Sequence, residues 1–526
     1  MKNINEQLNK LPKAKKKVSD SKSVSQASFK ANALPSSNIN PLLKAMVLED
    51  TSKAKVFTAN GALTNKSTGD KVLDFFSKAG AFRSQTEAVV VDAFKKALFE
   101  NSDLAMKALF YIRDIRGGQG ERKTFRTCLR WLASNYPNVV TANFENILFY
   151  GRTDDLFELV GTQCEKQMMT FINNKLHADL SSENPSLIAK WMPSTNASSL
   201  ESRKMGLKFA SFMSLSERNY RRILSFLRKK ISLVEQAMCK KDWSSISYDK
   251  IPSRAGFLYR KAFARNDNER YAAFLDKAAK GEVKINTSGL YPYDIVRSVL
   301  SGDATSSVDV MWNNLPDFFE GSECSMIPLI DVSSSMLSGG ASVPPMYSSI
   351  GLGLYVSERN NGPFKNWFIT FEESPKLQTV NGSTVYEKIN NIRKASWGGS
   401  TNLQAAFELI LESAKARKVK QSDMPKKLIV FSDMEFNTAC KSNKLTNLEV
   451  IKSKYKAAKY KMPEIIFWNL NAREDNSPAK MNEDGVMLVS GSSPSTIKFI
   501  LGGKITNPYD EMVKILSSER YANVRF

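Results

Sequence analysis

The sequence holds one histidine, His177, in 526 residues. That scarcity removes whole classes of chemistry. A zinc protease needs two histidines at HExxH spacing. A Ser-His-Asp triad needs a base near a nucleophile motif, and His177 sits in FINNKLHADL with no such motif elsewhere. It is expected to be a structural or surface helix residue. The five cysteines, Cys128, Cys164, Cys239, Cys324 and Cys440, are far apart and form no CxxC pair. This argues against a zinc site or a disulfide scaffold and for a reducing, cytoplasmic compartment. No GxxxxGK[ST] occurs, so neither a P-loop nor a nucleotide cofactor is expected. No apolar run reaches the roughly 18 residues of a bilayer span, and MKNINEQLNKLPKAKKK lacks the apolar centre of a secretory signal. No membrane association and no catalytic residues are expected.

What the chain has in excess is positive charge: 75 Lys and Arg against 53 Asp and Glu, a net of +22. Charge of this size attracts polyanions, and nucleic acid is the commonest of them. The alternative is a lysine-rich surface that only maintains solubility.

Three regions differ in texture. Residues 1–70 are rich in Ser, Asn and Lys and are expected to form a weakly structured basic segment. Its run Leu11–Lys17 is a solvated tail in the simplest view, or else a nuclear address or nucleic-acid arm. Residues 71–320 are helical: LDFFSKAGAF, TEAVVVDAFKKALFE, DLAMKALFYIRDI and TFRTCLRWLASNY carry apolar residues at i, i+3, i+4 spacing. Short breaks separate them, as in stacked helix pairs of a HEAT-like array. From 321 to 526 short apolar runs take over: SMIPLID, NWFITF, KLIVFSD, EIIFWNL and GVMLVSG. Helical stretches lie between them. Strands without alternation, interleaved with helices, predict a buried parallel sheet covered on both faces, a doubly wound α/β domain.

The first of these strands runs into Asp331-Val332-Ser333-Ser334-Ser335. In an open α/β sheet ligands bind at the carboxyl ends of strands. One carboxylate and two hydroxyls there suit a hard cation such as Mg²⁺ or Mn²⁺ that keeps several waters. Thr401 stands in WGGSTNLQAAF, a glycine-containing loop that opens a helix. Asp433 ends LIVFSD at another strand terminus. The alternative is that Ser333 and Thr401 are turn or cap residues and Asp433 an ordinary strand-end residue. The ordered combination favours one metal site made of Asp331, Ser333, Ser335, Thr401 and Asp433.

These motifs resemble the von Willebrand factor A domain, whose metal-ion-dependent adhesion site uses D-x-S-x-S, a loop Thr and a later Asp. Where many members have Asp-Gly, this chain has Ser432-Asp433-Met434-Glu435, which puts Glu435 beside the site. The resemblance implies a binding device, with a coordination position open to the carboxylate of an acidic protein partner. The helical phrases FYIRDIRGGQGERKTFRTCLRWLA, FYGRTDDLFEL and VEQAMCKKDWSSISYDKIPSRA resemble the TROVE-type module of the Ro autoantigen, and more closely proteins of the same layout. In the Ro family a ring of helical repeats closed by an A domain binds small non-coding and misfolded RNAs. The resemblance spans about residues 70–526 and implies RNA as partner.

The residues bear on that question directly. At about 100° per residue from Arg218, the apolar Tyr220, Ile223, Leu224, Leu227, Ile231 and Val234 fall on one face. Arg218, Arg222 and Lys229 fall on the opposite ridge. A second basic group, Arg113, Arg116, Arg122, Lys123 and Arg126, surrounds Gly117-Gly118-Gln119-Gly120, itself expected to be a helix-ending turn. Facing a cavity, such side chains bind phosphates by charge and paired hydrogen bonds; otherwise they are solvated helix faces. Three functions are thus framed: a non-enzymatic RNA-binding protein, a protein-interaction scaffold or viral particle component, and, least favoured, a metal nuclease.

Overall fold

The computed structural model describes residues 54–337, 344–395, 400–437 and 445–526. The basic run Leu11–Lys17 lies outside them. The chain divides into two compact units. One takes Cys128–Ser247 with the C-terminal Val524–Phe526; the other takes the described part of Ser36–Thr127 with Tyr248–Asn523.

The first unit is helical. Its helix Glu217–Lys230 shows why: Ser216 caps it by accepting the backbone N–H of Asn219, Glu217 sits in the first turn, and Arg228, Lys229 and Lys230 occupy the last. These charges complement the helix dipole. Tyr220, Ile223, Leu224 and Leu227 are buried, the face predicted from spacing. The C-terminus is tied in: the Asn143 side-chain amide donates to the Arg525 carbonyl at 2.8 Å, and the rings of Tyr136 and Phe526 lie 5.4 Å apart. His177 is half-buried in the helix Glu165–Ser181.

The second unit joins helices to a sheet. A hairpin opens it, β1 (Lys55–Phe57) paired antiparallel with β2 (Leu63–Asn65). This is ordered structure within a stretch expected to be weakly structured. The main sheet holds β3 (Met326–Ile330), β4 (Trp367–Thr370), β5 (Leu377–Thr379), β6 (Lys427–Ser432), β7 (Glu464–Asn469) and β8 (Val486–Ser490) in the order β5-β4-β3-β6-β7-β8. The five predicted strands are all present and parallel to one another. The short edge strand β5 runs antiparallel to β4, so the sheet is mixed and not purely parallel. β3 and β6 are buried along their whole lengths, as continuous apolar runs require.

One face of the sheet packs Leu329, Ile369, Val430 and Phe467 against Phe407, Leu411 and Ile451, and Ala62 from the hairpin joins that core. Behind β3 lies the helix Pro345–Arg359. A Cβ on its Gly351 would fall 2.9 Å from the Pro292 carbonyl carbon, so glycine allows close approach to the helix Pro292–Leu300. The early helices pack into this same unit: Phe76 stacks on Tyr111 at 5.2 Å, and Tyr111 meets Phe499 edge-on at 6.2 Å. Among the described residues, no helix is long and apolar enough to cross a membrane.

Candidate functional site

Strand order reverses between β3 and β6: the chain leaves β3 for β4 on one side and returns to β6 on the other. That switch point is where an open α/β sheet leaves a crevice at its carboxyl edge. Asp331 follows β3 and Asp433 follows β6, so the topology sets both acids at this edge.

Asp331 is fully buried, 0% exposed, and is not the surface residue its place at the sheet edge implies. One carboxylate oxygen accepts the Ser432 hydroxyl at 2.6 Å; the other accepts the Ser333 backbone N–H at 2.9 Å. Burial, with the negative charge of Asp433 second, pushes its pKa up to about 6. The Ser333 and Ser335 hydroxyls lie 2.9 Å apart. This half of the predicted set converges: one carboxylate and a hydroxyl pair, a donor set that suits a hard cation.

The other half has different partners. The Thr401 hydroxyl lies 2.9 Å from the Glu435 carbonyl and 2.7 Å from the Asn437 side-chain oxygen, and Asn60 donates to it at 3.3 Å. Asp433 accepts the Glu435 N–H at 3.2 Å, and its second oxygen pairs with the Arg473 guanidinium at 2.8 Å. The hydrogen bonds thus give the predicted ligands separate partners, Asp331, Ser333 and Ser335 in one set and Thr401 and Asp433 in another, while the charge of Asp433 is felt at Asp331. Among the described residues, no group of three or more acidic, His or Cys side chains is disposed to hold a metal.

Glu435 is buried beside them. Its carboxylate accepts the Ala59 N–H at 2.6 Å and the Asn476 amide at 2.9 Å, and burial pushes its pKa up. Between the two acids, Met434 adopts φ +66°. That conformation favours glycine, the residue expected there from the resemblance, and is strained for a bulky side chain. The hairpin turn closes this corner: Thr58 donates to the Phe436 carbonyl at 2.6 Å, and Asn60 donates to the Glu435 carbonyl.

Sequence reasoning missed Ser432, Asn60, Asn437 and Arg473. Asn60-Gly61 is a hairpin-turn dipeptide and was legible as such. Arg473 carried no local signal, since it reaches Asp433 from a loop after β7.

The basic residues divide between the two units. Arg218, Arg222 and Lys229 are all exposed, on the helix face opposite the buried one. Lys229 also lines a groove of about 580 Å³ with Lys190, Arg228, Lys240 and Glu235; Arg218 and Arg222 do not. Arg228 is engaged structurally, donating to the carbonyls of Ala189 and Met192 at 2.9 and 2.6 Å. In the other unit Arg116, Arg122 and Lys123 are exposed and Arg126 is half-buried. Arg113 is 2% exposed, so burial withdraws it from the expected phosphate-binding group. The Lys123 ammonium donates to the carbonyls of Arg83 and Gln85.

The domain of unknown function DUF7788 matches residues 325–524, and the domain of unknown function DUF2828 matches residues 58–204 and 188–317. The uncharacterized protein L728 of Acanthamoeba polyphaga mimivirus is 30% identical over 508 residues, covering 88% of this chain and 87% of the relative. Among solved structures, the Deinococcus radiodurans RO (RSR) protein aligns with 90% of this chain and 98% of its own at 12% identity and a TM-score of 0.34.

Proposed function

The chain belongs to the family of the mimivirus uncharacterized protein L728, and from that premise we propose that it is a non-enzymatic, cytoplasmic RNA-binding protein of Ro-like type. The observation that carries this is the ridge of Arg218, Arg222 and Lys229. Three exposed cations line one side of a helix whose other side is core, in a chain of net charge +22. Lys229 continues into a groove with three further basic residues, Lys190, Arg228 and Lys240, and one acidic residue, Glu235. Such a surface neutralises phosphates without reading bases, which suits structured or misfolded RNA of varied sequence. The sequence resemblance to the Ro helical module supports the same ligand. Filter binding of unrelated RNAs at several salt concentrations tests it. Affinity that falls steeply with salt and varies little with sequence is expected; no affinity even at low salt overturns it.

The proposal extends to the α/β domain, taken as a von Willebrand factor A fold. Its Asp331, Ser333 and Ser335, with Thr401 and Asp433 from the neighbouring loops, would hold one Mg²⁺ or Mn²⁺, which supplies an open position for an acidic group of a partner. The convergence of a buried carboxylate on two hydroxyls at the switch point favours this. It also keeps a second function in view, a protein-interaction scaffold working without RNA. The donor set offers hydroxyls where a two-metal nuclease needs clustered carboxylates.

A further inference from the structure

We infer that Arg473 is a tethered counter-cation that competes with a divalent ion for Asp433 and so sets how tightly the Asp331 site takes metal. The inference rests on the cation site proposed above and names the residue that regulates it.

Three carboxylates, Asp331, Asp433 and Glu435, are buried at the carboxyl ends of β3 and β6. Buried carboxylates need positive charge or several hydrogen bonds. Glu435 has two donors, the Ala59 N–H and the Asn476 amide. Asp331 has only neutral donors, from Ser432 and Ser333. Among the described residues, no basic side chain pairs with Asp331. The guanidinium goes to Asp433, the acid that the A-domain resemblance assigns to the metal.

The placement follows from topology. β6 and β7 are parallel neighbours, so the loops after them leave the sheet at the same edge. Arg473, on the loop after β7, therefore reaches the acid that ends β6. A divalent ion using Asp433 has to displace the guanidinium. Arg473 is 29% exposed while Asp433 is fully covered, so the arginine has a way out to solvent and the acid does not.

The test is Mn²⁺ titration of the full chain by calorimetry, comparing wild type with R473Q and R473K. Removing the competitor is expected to tighten Mn²⁺ binding by about two- to fivefold, the scale of a partly exposed ion pair. R473K keeps the charge and is expected to bind close to wild type. Thermal melts give a second readout: Mn²⁺ raises the melting temperature of R473Q more than that of wild type, because the ion replaces the missing charge. R473M, of similar reach and uncharged, is held to the same outcomes should R473Q not fold. If the uncharged variant binds Mn²⁺ no tighter than wild type while D331N abolishes binding, the role of Arg473 is overturned and the cation site stands. If wild type and the uncharged variant are both folded and neither binds Mn²⁺, both proposals fall.

Discussion

Asp114 and Arg520 lie 406 residues apart and form a two-point ion pair. The Arg520 Nη2 donates to Asp114 Oδ1 at 2.7 Å and its Nε donates to Oδ2, which also accepts the Tyr521 hydroxyl at 3.0 Å. The acid follows the helix Ser102–Arg113 and accepts the backbone N–H groups of Arg116 and Gly117. It fastens an early helix to the last turn of the same unit.

Burial alone pushes the Asp114 carboxyl up, but the bonds from Arg520, Arg116 and Gly117 outweigh it and hold it below the usual carboxylate range. A lowered folded pKa gives stability that is present above the unfolded value and lost as pH falls through the folded one. Asp114→Asn is expected to cost about 3 kcal/mol at neutral pH, the lower end for breaking a buried pair. Urea unfolding at a series of pH values checks this. The variant's stability falls less steeply on acidification than the wild type's.

Asp331→Asn keeps a side-chain oxygen for the Ser432 hydroxyl or the Ser333 N–H but removes the charge. It is expected to abolish Mn²⁺ binding with the fold intact, read by calorimetry beside circular dichroism. Because Asp331 is buried, Asp331→Ala would confuse loss of a ligand with loss of packing. The wild-type acid, raised to about 6, works the other way from Asp114. The folded state holds its proton longer than the unfolded chain, so its contribution to stability declines as pH rises from about 4 to 6 and stays low above that.

Changing Arg218, Arg222 and Lys229 together to Gln is expected to flatten the slope of log K against log salt by about two units for single-stranded RNA. Unrelated RNAs should weaken alike. Folding should persist, because all three are exposed and lie opposite Tyr220, Ile223, Leu224 and Leu227. An unchanged slope would make the ridge a solvated face only. Arg113→Gln, at a buried position, should lower stability and leave the slope alone.

Gly118→Ala tests the turn. A Cβ there would stand 1.9 Å from the Tyr111 carbonyl oxygen, a backbone atom that cannot swing aside. Overpacking of this kind costs about 1–3 kcal/mol or more, and the variant is expected to be strongly destabilised in a thermal melt. The measurement separates a packing role for the glycine-rich segment from a ligand-binding one, in which stability would be unaffected.

Some of the architecture was legible from local pattern. The strands from Met326 to Ser490 are near-continuous apolar runs, and a sheet covered on both faces needs that composition. The amphipathic helix at 217–230 was equally plain, because a period of 3.6 sorts its residues onto two faces. The edge strand β5, Leu377–Thr379, was not legible: one exposed and two half-exposed residues carry no periodicity, and only pairing with β4 makes them a strand.

The sequence by itself determined the amphipathic helices and the five long strands of the sheet, which helix face carries charge, and that Asp331 and Asp433 end strands, because each depends on neighbours within a few residues. Tertiary structure decided what long-range contact creates. It buried Arg113, brought the hairpin turn at Asn60 onto Glu435, and placed helices before Thr127 in the same unit as the sheet. It also delivered Arg473 to Asp433. Strand order sets which loops share an edge, and strand order depends on how distant segments pair. That is why the cation opposite Asp433 has no trace in the residues around either partner.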